Sequence, residues 1–241
     1  MKYYELTCTA YLKKDINFKN SFEIISKYIS FSMAQDEQLK RLHTDIGFKY
    51  YTFGNFYPIQ RDGIYKEGGI YKITIRSLNE KLIDTLSQTL RLNINNPNLS
   101  IVQTSKKTIN QFFISEIYSA TPVIVTMQNG KYWVKEDDLM ILHKQLQDNL
   151  IKKYQDFYDE KIEVSQNFIQ LFELKNSRLQ TIQTDKLHSH GVPVKFYGNK
   201  FRIVPNEDEV SQKLAFVAMA CGLGEKNSFG GGFCLGKGIG L

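Results

Sequence analysis

Eight of the sixteen glycines of this chain fall in its last twenty residues, from Gly222 to Gly240. The same run carries Lys226, Asn227 and Ser228, whose ammonium, amide and hydroxyl groups can meet phosphate or sugar. Glycine is costly to order, so a dense run indicates backbone that bends sharply or approaches another molecule closely. The pattern predicts a polyanion lying across a loop that has few side chains.

The glycine run does not complete a common nucleotide-binding motif. Gly231 to Lys237 nearly matches a P-loop, but Gly238 stands where that motif requires Ser or Thr. Asn227 occupies the place of the third glycine in a dinucleotide-binding turn. A flexible tail is the simpler alternative, but apolar anchors such as Phe233 favour an ordered loop and strand.

His43 is the residue best suited to acid–base chemistry, because imidazole titrates near neutrality. It ends a short predicted helix within a basic stretch: residues 38–110 hold eleven Lys or Arg and five acids. A histidine at a helix C-terminus also serves simply as a charge partner of the helix dipole. The residues alone leave both interpretations open.

A metal-dependent nuclease is a second possibility, in which His188 and His190 share one face of an extended segment. No Asp, Glu or Cys stands at a convincing ligand spacing beside them, so RNA contact or a surface role is favoured. The pair Asp137-Asp138 reads as a helix start rather than as a metal site. No metal or other cofactor is predicted.

The composition is that of an ordinary globular protein, with 241 residues, 42% hydrophobic content and a net charge of +6. The positive charge favours nucleic acid or another anion without proving either. The three cysteines imply neither a disulfide framework nor a thiolate metal site. No apolar stretch is long enough to span a membrane, so a cytoplasmic location and no membrane partner are expected.

Hydrophobic periodicity predicts two α+β domains, 1–118 and 119–241, each of which would place one part of the candidate site. The first reads βαββαβ, the ferredoxin-like order, with its first helix broken in two. Its predicted elements are a strand at 3–12, a helix capped by Asn20 or Ser21, a short helix at 36–43, strands at 48–57 and 70–76, a helix from Asn79 and a strand at 100–104.

The second half repeats this theme loosely and ends in the glycine run. Its predicted elements are a hairpin (123–127 and 131–134), a long amphipathic helix (137–158), strands (166–174 and 178–184), another hairpin (192–197 and 200–204) and an apolar helix (210–220). Both hairpins have Asn-Gly or Gly-Asn turns. The predicted fold class is therefore α+β, with tandem ferredoxin-like (RRM-like) domains.

The glycines Gly222, Gly224 and Gly230 to Gly232, placed after a short helix, resemble the C-terminal glycine-rich loop of one known family. These are the CRISPR-associated endoribonucleases that process precursor CRISPR RNA, within the repeat-associated mysterious protein superfamily. The stretch Gly47-Phe-Lys-Tyr-Tyr-Thr-Phe53, followed by Tyr57-Pro58, is similar to the first-domain motif of that family. The resemblance spans essentially the whole chain, although Gly231 departs from a position that is usually apolar.

The resemblance implies a catalytic set of Tyr28, His43 and Lys49, whose gaps of fifteen and six residues match the tyrosine, histidine and lysine of many members. His43 would act as general acid or base, Lys49 would stabilise the phosphorane, and Tyr28 would position the 2′-hydroxyl or bond a phosphate oxygen. On simpler interpretations Tyr28 packs in the core and Lys49 is a solvated edge residue. The RNA-binding residues would be Gly222, Gly224, Lys226, Asn227, Ser228, Gly230, Gly232, Lys40 and Arg41.

The function that the resemblance implies is metal-independent cleavage of CRISPR repeat RNA, leaving 2′,3′-cyclic phosphate and 5′-hydroxyl ends. The partners would be precursor and mature guide RNA and an interference complex that receives the product. The protein would act as a monomer or a homodimer. A non-catalytic RNA-binding scaffold remains the alternative function.

Overall fold

The computed structural model describes residues 1–44, 47–189 and 191–239, without the side chains of His43 and Thr44. Two four-stranded antiparallel sheets, each with its own helices, follow one another along the chain. In both sheets the first and third strands of the domain lie at the centre, which is the ferredoxin-like arrangement. The predicted fold class is confirmed: the chain consists of tandem ferredoxin-like domains.

The elements of the first domain are β1 (Lys2–Leu12), β2 (Ile16–Asn17), α1 (Phe18–Met33), α2 (Glu37–Thr44), β3 (Tyr51–Phe53), β4 (Ile64–Tyr65), β5 (Ile70–Ser77), α3 (Glu80–Thr89) and β6 (Leu99–Asn110). They form the sheet β3-β5-β1-β6 and a small β2–β4 ladder, and a 3₁₀ turn lies at Leu90–Leu92. The alternation in β1 places Tyr4, Leu6 and Cys8 in the core.

The helix α1 begins earlier than the sequence predicted. The Asn17 side chain, rather than that of Asn20 or Ser21, caps it by accepting the Lys19 N–H at 2.9 Å. The apolar stripe then faces the sheet as predicted, with Phe22 among the buried residues. Asn17 is the capping residue because it ends β2, whose pairing with β4 fixes where the chain turns into the helix.

The elements of the second domain are β7 (Phe113–Ser119), α4 (Leu139–Tyr158), β8 (Ile169–Leu174), β9 (Gln180–Leu187), β10 (Pro193–Gly198), β11 (Phe201–Pro205), α5 (Glu209–Cys221) and β12 (Cys234–Ile239). Its four-stranded sheet has the order β12-β7-β11-β8. The change from the first sheet to the second falls between β6 and β7, a few residues before the predicted boundary at 118/119. The strand β7 was not among the elements predicted from the sequence.

A β-hairpin of β9 and β10 is inserted between the second and third strands of the second domain. The predicted hairpin of β10 with β11 is wrong, because β11 pairs with β7 and β8 instead. The chain changes sheets at Gly198 and Asn199, where Asn199 and Val123 exchange two backbone hydrogen bonds of 2.8 and 3.1 Å. A Cβ at Gly198 would lie 2.4 Å from the Val123 carbonyl oxygen, so this glycine permits a close approach rather than a hairpin turn.

The two domains are joined through Arg76 of β5, which is buried. Its guanidinium donates to the Cys234 carbonyl oxygen at 2.5 Å and to the Glu5 carboxylate at 2.7 Å. The same group lies 4.7 Å from the ring centre of Phe233. A buried, paired cation therefore fixes β12 against the first sheet. Within the described ranges, no helix is both long and apolar enough to cross a membrane.

Candidate nucleic-acid interface

A groove lies between the two domains beside the end of α5. One part has a volume of about 280 Å³ and is lined by residues 47–51 of the first domain, by α4, and by residues 224–229. A second part, of about 480 Å³, extends along α1 and β9. The two parts share the lining residues Lys49, Tyr51, Ser228 and Phe229. The groove thus brings together the two stretches of sequence on which the functional predictions depended.

The segment 222–232, called here the glycine loop, is a closed structure. Gly222 ends α5 with φ of 85°, and Gly232 closes the loop with φ of 65°. A Cβ at Gly232 would lie 1.9 Å from the Leu223 carbonyl oxygen, which no larger residue can tolerate. The Leu223 N–H donates to the Gly232 carbonyl oxygen at 2.9 Å, and the Gly232 N–H donates to the Pro122 carbonyl oxygen at 2.8 Å. The loop is therefore ordered, as the sequence predicted.

The glycines named as RNA contacts, Gly222, Gly224, Gly230 and Gly232, are all buried. They fit the loop to the rest of the protein, and the part of the loop that solvent reaches is 225–229. What this loop presents to solvent is therefore residues 225–229, which the buried glycines hold in place.

The three polar residues of the loop have different surroundings. Lys226 is exposed and has a positive φ of 57°. Ser228 is half-buried, and its carbonyl oxygen accepts the Ser26 hydroxyl at 3.0 Å, which ties the loop to α1. The amide of Asn227 is used inside the loop, where its nitrogen donates to the Gly231 carbonyl oxygen at 2.9 Å. Lys226 and Ser228 are thus the better placed to meet a ligand.

A lysine that the sequence analysis did not single out lies beneath the loop. Lys153 of α4 is only 2% exposed. Its ammonium donates to the carbonyl oxygens of Gly222 at 2.8 Å and Gly224 at 2.9 Å, and to Oδ1 of Asn227 at 2.7 Å. Burial lowers the pKa of this ammonium to about 8.

The sequence did contain a signal for Lys153. The buried stripe of α4, formed by Leu142, Leu146 and Leu150, continues at helical spacing to Lys153 and Tyr154. A lysine at an apolar position of an amphipathic helix must find buried acceptors, because an unpaired buried charge is very costly. Its acceptors, however, come from a loop about seventy residues later in the chain, which no local pattern reveals.

Lys49 lies in the groove wall of the first domain. Its ammonium donates to the Leu42 carbonyl oxygen at 2.6 Å, so it contacts the residue that directly precedes His43. The backbone of His43 forms part of the last turn of α2, and its side chain lies outside the described part of the structure. Lys40 and Arg41 are exposed on the same helix.

Tyr28 is separated from this groove by its burial, since it is 2% exposed. Its hydroxyl donates to the Leu90 carbonyl oxygen at 2.8 Å and accepts the Ile101 N–H at 3.2 Å. These bonds connect α1 to the 3₁₀ turn that follows α3 and to β6, the last strand of the first domain. The structure does not bring Tyr28 together with Lys49 in either part of the groove.

The β9–β10 hairpin borders the second part of the groove, beside α1. Its Phe196 ring packs 5.3 Å from the Phe229 ring of the glycine loop, measured between ring centres. Lys186 of the hairpin lies 5.5 Å from the Phe229 ring centre, and Lys226 lies 5.5 Å from the Phe196 ring centre. Cations and aromatic rings therefore alternate at this edge, a combination suited to phosphates and unstacked bases.

Of the two histidines considered as a metal site, His188 is exposed in the turn between β9 and β10, and His190 lies outside the described residues. In the described ranges, no three His, Cys, Asp or Glu side chains come together as a metal-binding group.

The family described as "CRISPR associated protein Cas6, C-terminal" matches residues 102–235. A curated relative, CRISPR-associated endoribonuclease Cas6 2 of Methanocaldococcus jannaschii, is 26% identical over 238 residues, covering 88% of this chain and 92% of the relative. The family match extends across the glycine loop.

Solved structures agree on the fold. One described as CRISPR associated protein Cas6 has a TM-score of 0.67 at 20% identity, covering 98% of this chain and 99% of its own. Another, an RAMP protein binding different RNA substrates, has a TM-score of 0.68 at 15% identity, covering 97% and 99%. A third, from work on a Cas6-related gene from Pyrococcus furiosus, has a TM-score of 0.66 at 15% identity, covering 97% and 98%. Because the family match spans more than half of the sequence and includes the glycine loop, the chain belongs to the Cas6 family of CRISPR-associated proteins.

Proposed function

We propose that the chain is a metal-independent endoribonuclease that cuts CRISPR repeat RNA within a precursor transcript. Its products would carry 2′,3′-cyclic phosphate and 5′-hydroxyl ends. Family membership and the endoribonuclease name of the curated relative support the proposal. The observation that carries it is the groove in which Lys49, bonded to the residue before His43, shares a cavity with the glycine loop.

The reaction needs two proton transfers and one charged group. The 2′-oxygen attacks the phosphorus as its hydroxyl proton is removed, and the bond to the 5′-oxygen breaks as that oxygen gains a proton. His43 serves one of these transfers, because a neutral imidazole accepts a proton and an imidazolium donates one. The Lys49 ammonium stabilises the negative charge that develops on the phosphorane. The buried Tyr28 is not retained as a group that contacts RNA.

The RNA backbone is held by cations on both sides of the groove. Lys226 and Ser228 on the glycine loop are accessible to it, and Lys40 and Arg41 extend the basic surface along α2. Phosphate contacts of this kind position RNA without reading its sequence, and they weaken as the salt concentration rises. The same contacts would retain the product for transfer to an interference complex, whether the enzyme acts as a monomer or as a homodimer.

A single-turnover cleavage assay with His43→Ala tests the proposal. The expected rate loss is ~10²–10⁴-fold, the usual contribution of a positioned acid or base. His188→Ala is the matched control, since it removes an exposed histidine away from the groove walls and should cut as the wild type does. An excess of chelator should leave cutting undiminished.

Three results would overturn parts of the proposal. If His43→Ala cuts at the wild-type rate, His43 is not the catalyst. Loss of cutting in chelator would point to a metal-dependent nuclease. Tight binding of repeat RNA by a wild-type protein that never cuts it would establish the alternative function, a non-catalytic RNA-binding scaffold.

A further inference from the structure

We propose that Lys153 is a positioning residue whose buried ammonium holds the glycine loop in its RNA-binding shape. The inference extends the proposed function, since the RNA contacts that it supports are those of Lys226 and Ser228. It assigns a role to a buried charged group that takes no part in the proposed cleavage step.

The geometry accounts for every donor of this side chain. An ammonium has three N–H groups, and those of Lys153 are taken by Gly222, Gly224 and Asn227 at 2.7 to 2.9 Å. Because all three donors are used and the side chain is 2% exposed, Lys153 does not contact RNA itself. It acts through the loop and is not a catalytic residue.

Lys153 is held by carbonyl and amide oxygens rather than by a direct ion pair. Among the described residues its ammonium forms no ion pair with a carboxylate. It lies at the C-terminal end of α5, where the last carbonyl groups carry the negative end of the helix dipole. Backbone carbonyls, rather than a carboxylate, therefore compensate the buried charge. That arrangement ties the charge to the loop's conformation, because a moved loop would leave the ammonium unpaired.

Asn227 transmits the constraint across the loop. Its Oδ1 accepts from Lys153, while its Nδ2 donates to Gly231 at 2.9 Å and to Leu223 at 3.3 Å. The ammonium and this amide therefore link the beginning of the loop to its end. Lys226 and Ser228 flank Asn227 in sequence, so the position of their side chains follows from the same bonds.

The test compares Lys153→Met with Lys152→Met, which removes the same charge from the adjacent, exposed position of the same helix. Hydrogen–deuterium exchange of the RNA-free proteins is followed for peptides covering 222–232 and for peptides of β1. We expect Lys153→Met to speed exchange in 222–232 while β1 stays protected, and Lys152→Met to leave both unchanged.

RNA binding and cleavage are measured on the same proteins. We expect Lys153→Met to weaken repeat-RNA affinity by about tenfold or more, with the single-turnover rate at saturating RNA within about threefold of wild type. A role limited to overall stability would not separate affinity from rate in this way. Lys152→Met, at a position outside the groove lining, should keep the affinity close to that of the wild type.

A second variant keeps the test decisive if Lys153→Met does not fold. Asn227→Ala removes the same contact from the loop side, at a half-buried position, and should also speed exchange in 222–232. The inference is overturned if both variants exchange like Lys152→Met, or if both lose protection uniformly across the protein. If the wild type binds no repeat RNA, the proposed function fails, whereas the exchange data still decide whether Lys153 orders the loop.

Discussion

The two walls of the groove are built in different ways. The glycine loop is hydrogen-bonded at both ends and is held from beneath by Lys153. At its side, the Glu225 carboxylate accepts the Thr126 N–H and the Thr126 hydroxyl, each at 3.0 Å. The first-domain wall, residues 47–51, is mostly irregular backbone held by side chains such as the Ser77 hydroxyl, which donates to the Tyr50 carbonyl oxygen at 2.7 Å. Glycine density here encodes a defined shape rather than mobility. Lys49, which is proposed to stabilise the charge of the phosphorane, lies on the first-domain wall.

Removing one cation from each wall should separate catalysis from binding. Lys49→Ala is expected to lower the single-turnover rate by ~10²–10³-fold, because a fixed charge near the phosphorane is lost. Lys226→Ala should instead leave the rate at saturating RNA unchanged and weaken affinity. The two variants are compared by rate and affinity on one repeat RNA, and equal losses of both quantities in both variants would remove the distinction between the walls.

A glycine of the loop should tolerate substitution far less than a glycine of similar backbone angle elsewhere. Gly232→Ala combines a positive φ with a 1.9 Å clash, so we expect the free energy of unfolding to fall by ~3 kcal/mol. Gly130→Ala is the control, because its φ is 76° and no atom lies within 4 Å of the new Cβ. There the expected loss is ~1 kcal/mol, from backbone strain alone. Urea unfolding measures both, and equal losses would mean that the loop rearranges freely.

The buried ammonium predicts an unusual dependence of stability on pH. The pKa of Lys153 is about 8 in the folded protein and near 10.5 when unfolded, so between these values the unfolded chain binds more protons. Its contribution to stability therefore rises with pH in this window and is smallest below about pH 8. Relative to Lys153→Met, the free energy of unfolding should increase by ~2 kcal/mol between about pH 7.5 and about pH 9.5.

The comparison with Lys153→Met is needed because neighbouring groups act in the opposite direction. Burial raises the pKa of the Cys221 and Cys234 thiols to about 12, so their contribution falls as the pH rises above 9.0. Glu225 also faces the ammonium and favours its charged form. All three groups remain in the variant and largely cancel in the difference. Parallel pH curves for the two proteins would show that Lys153 does not titrate in this window.

The smallest expected effect is on the salt dependence of binding. If Lys226 contacts one phosphate, Lys226→Ala should reduce the slope of log affinity against log salt by ~0.7 for single-stranded RNA. Lys152→Met, a lysine outside the groove lining, should leave the slope unchanged. An unaltered slope in Lys226→Ala would place the RNA away from the exposed part of the glycine loop.

Most of the fold could be predicted because local patterns determine it. The βαββαβ order of the first domain follows from alternation in β1 and β5 and from helical spacing in α1 and α3. The pairing of β10 with β9 rather than β11 could not be predicted. In sequence, Gly198-Asn199 is typical of a hairpin turn, although the chain changes sheets there. What decides the pairing is the close approach of Val123, a contact between distant residues.

The same distinction between local patterns and distant contacts applies to the candidate site. That the glycine loop is ordered was predictable from Gly222 to Gly232 and their apolar neighbours. The burial of Tyr28 was one of two open interpretations of the sequence, because its hydroxyl bonds to the backbones of Leu90 and Ile101, far along the chain. The role of Lys153 also depends on distant acceptors. Positions set by local spacing were thus foreseeable, and those set by long-range hydrogen bonds were not.

The central claim is that RNA held between these walls is cut by attack of its own 2′-hydroxyl. The most direct test replaces the ribose on the 5′ side of the cut phosphate by 2′-deoxyribose in a repeat RNA and measures binding and cleavage together. The account predicts unchanged affinity and no cleavage at that phosphate. Cleavage of the 2′-deoxy substrate at the same phosphate would contradict it, because the nucleophile would then come from elsewhere.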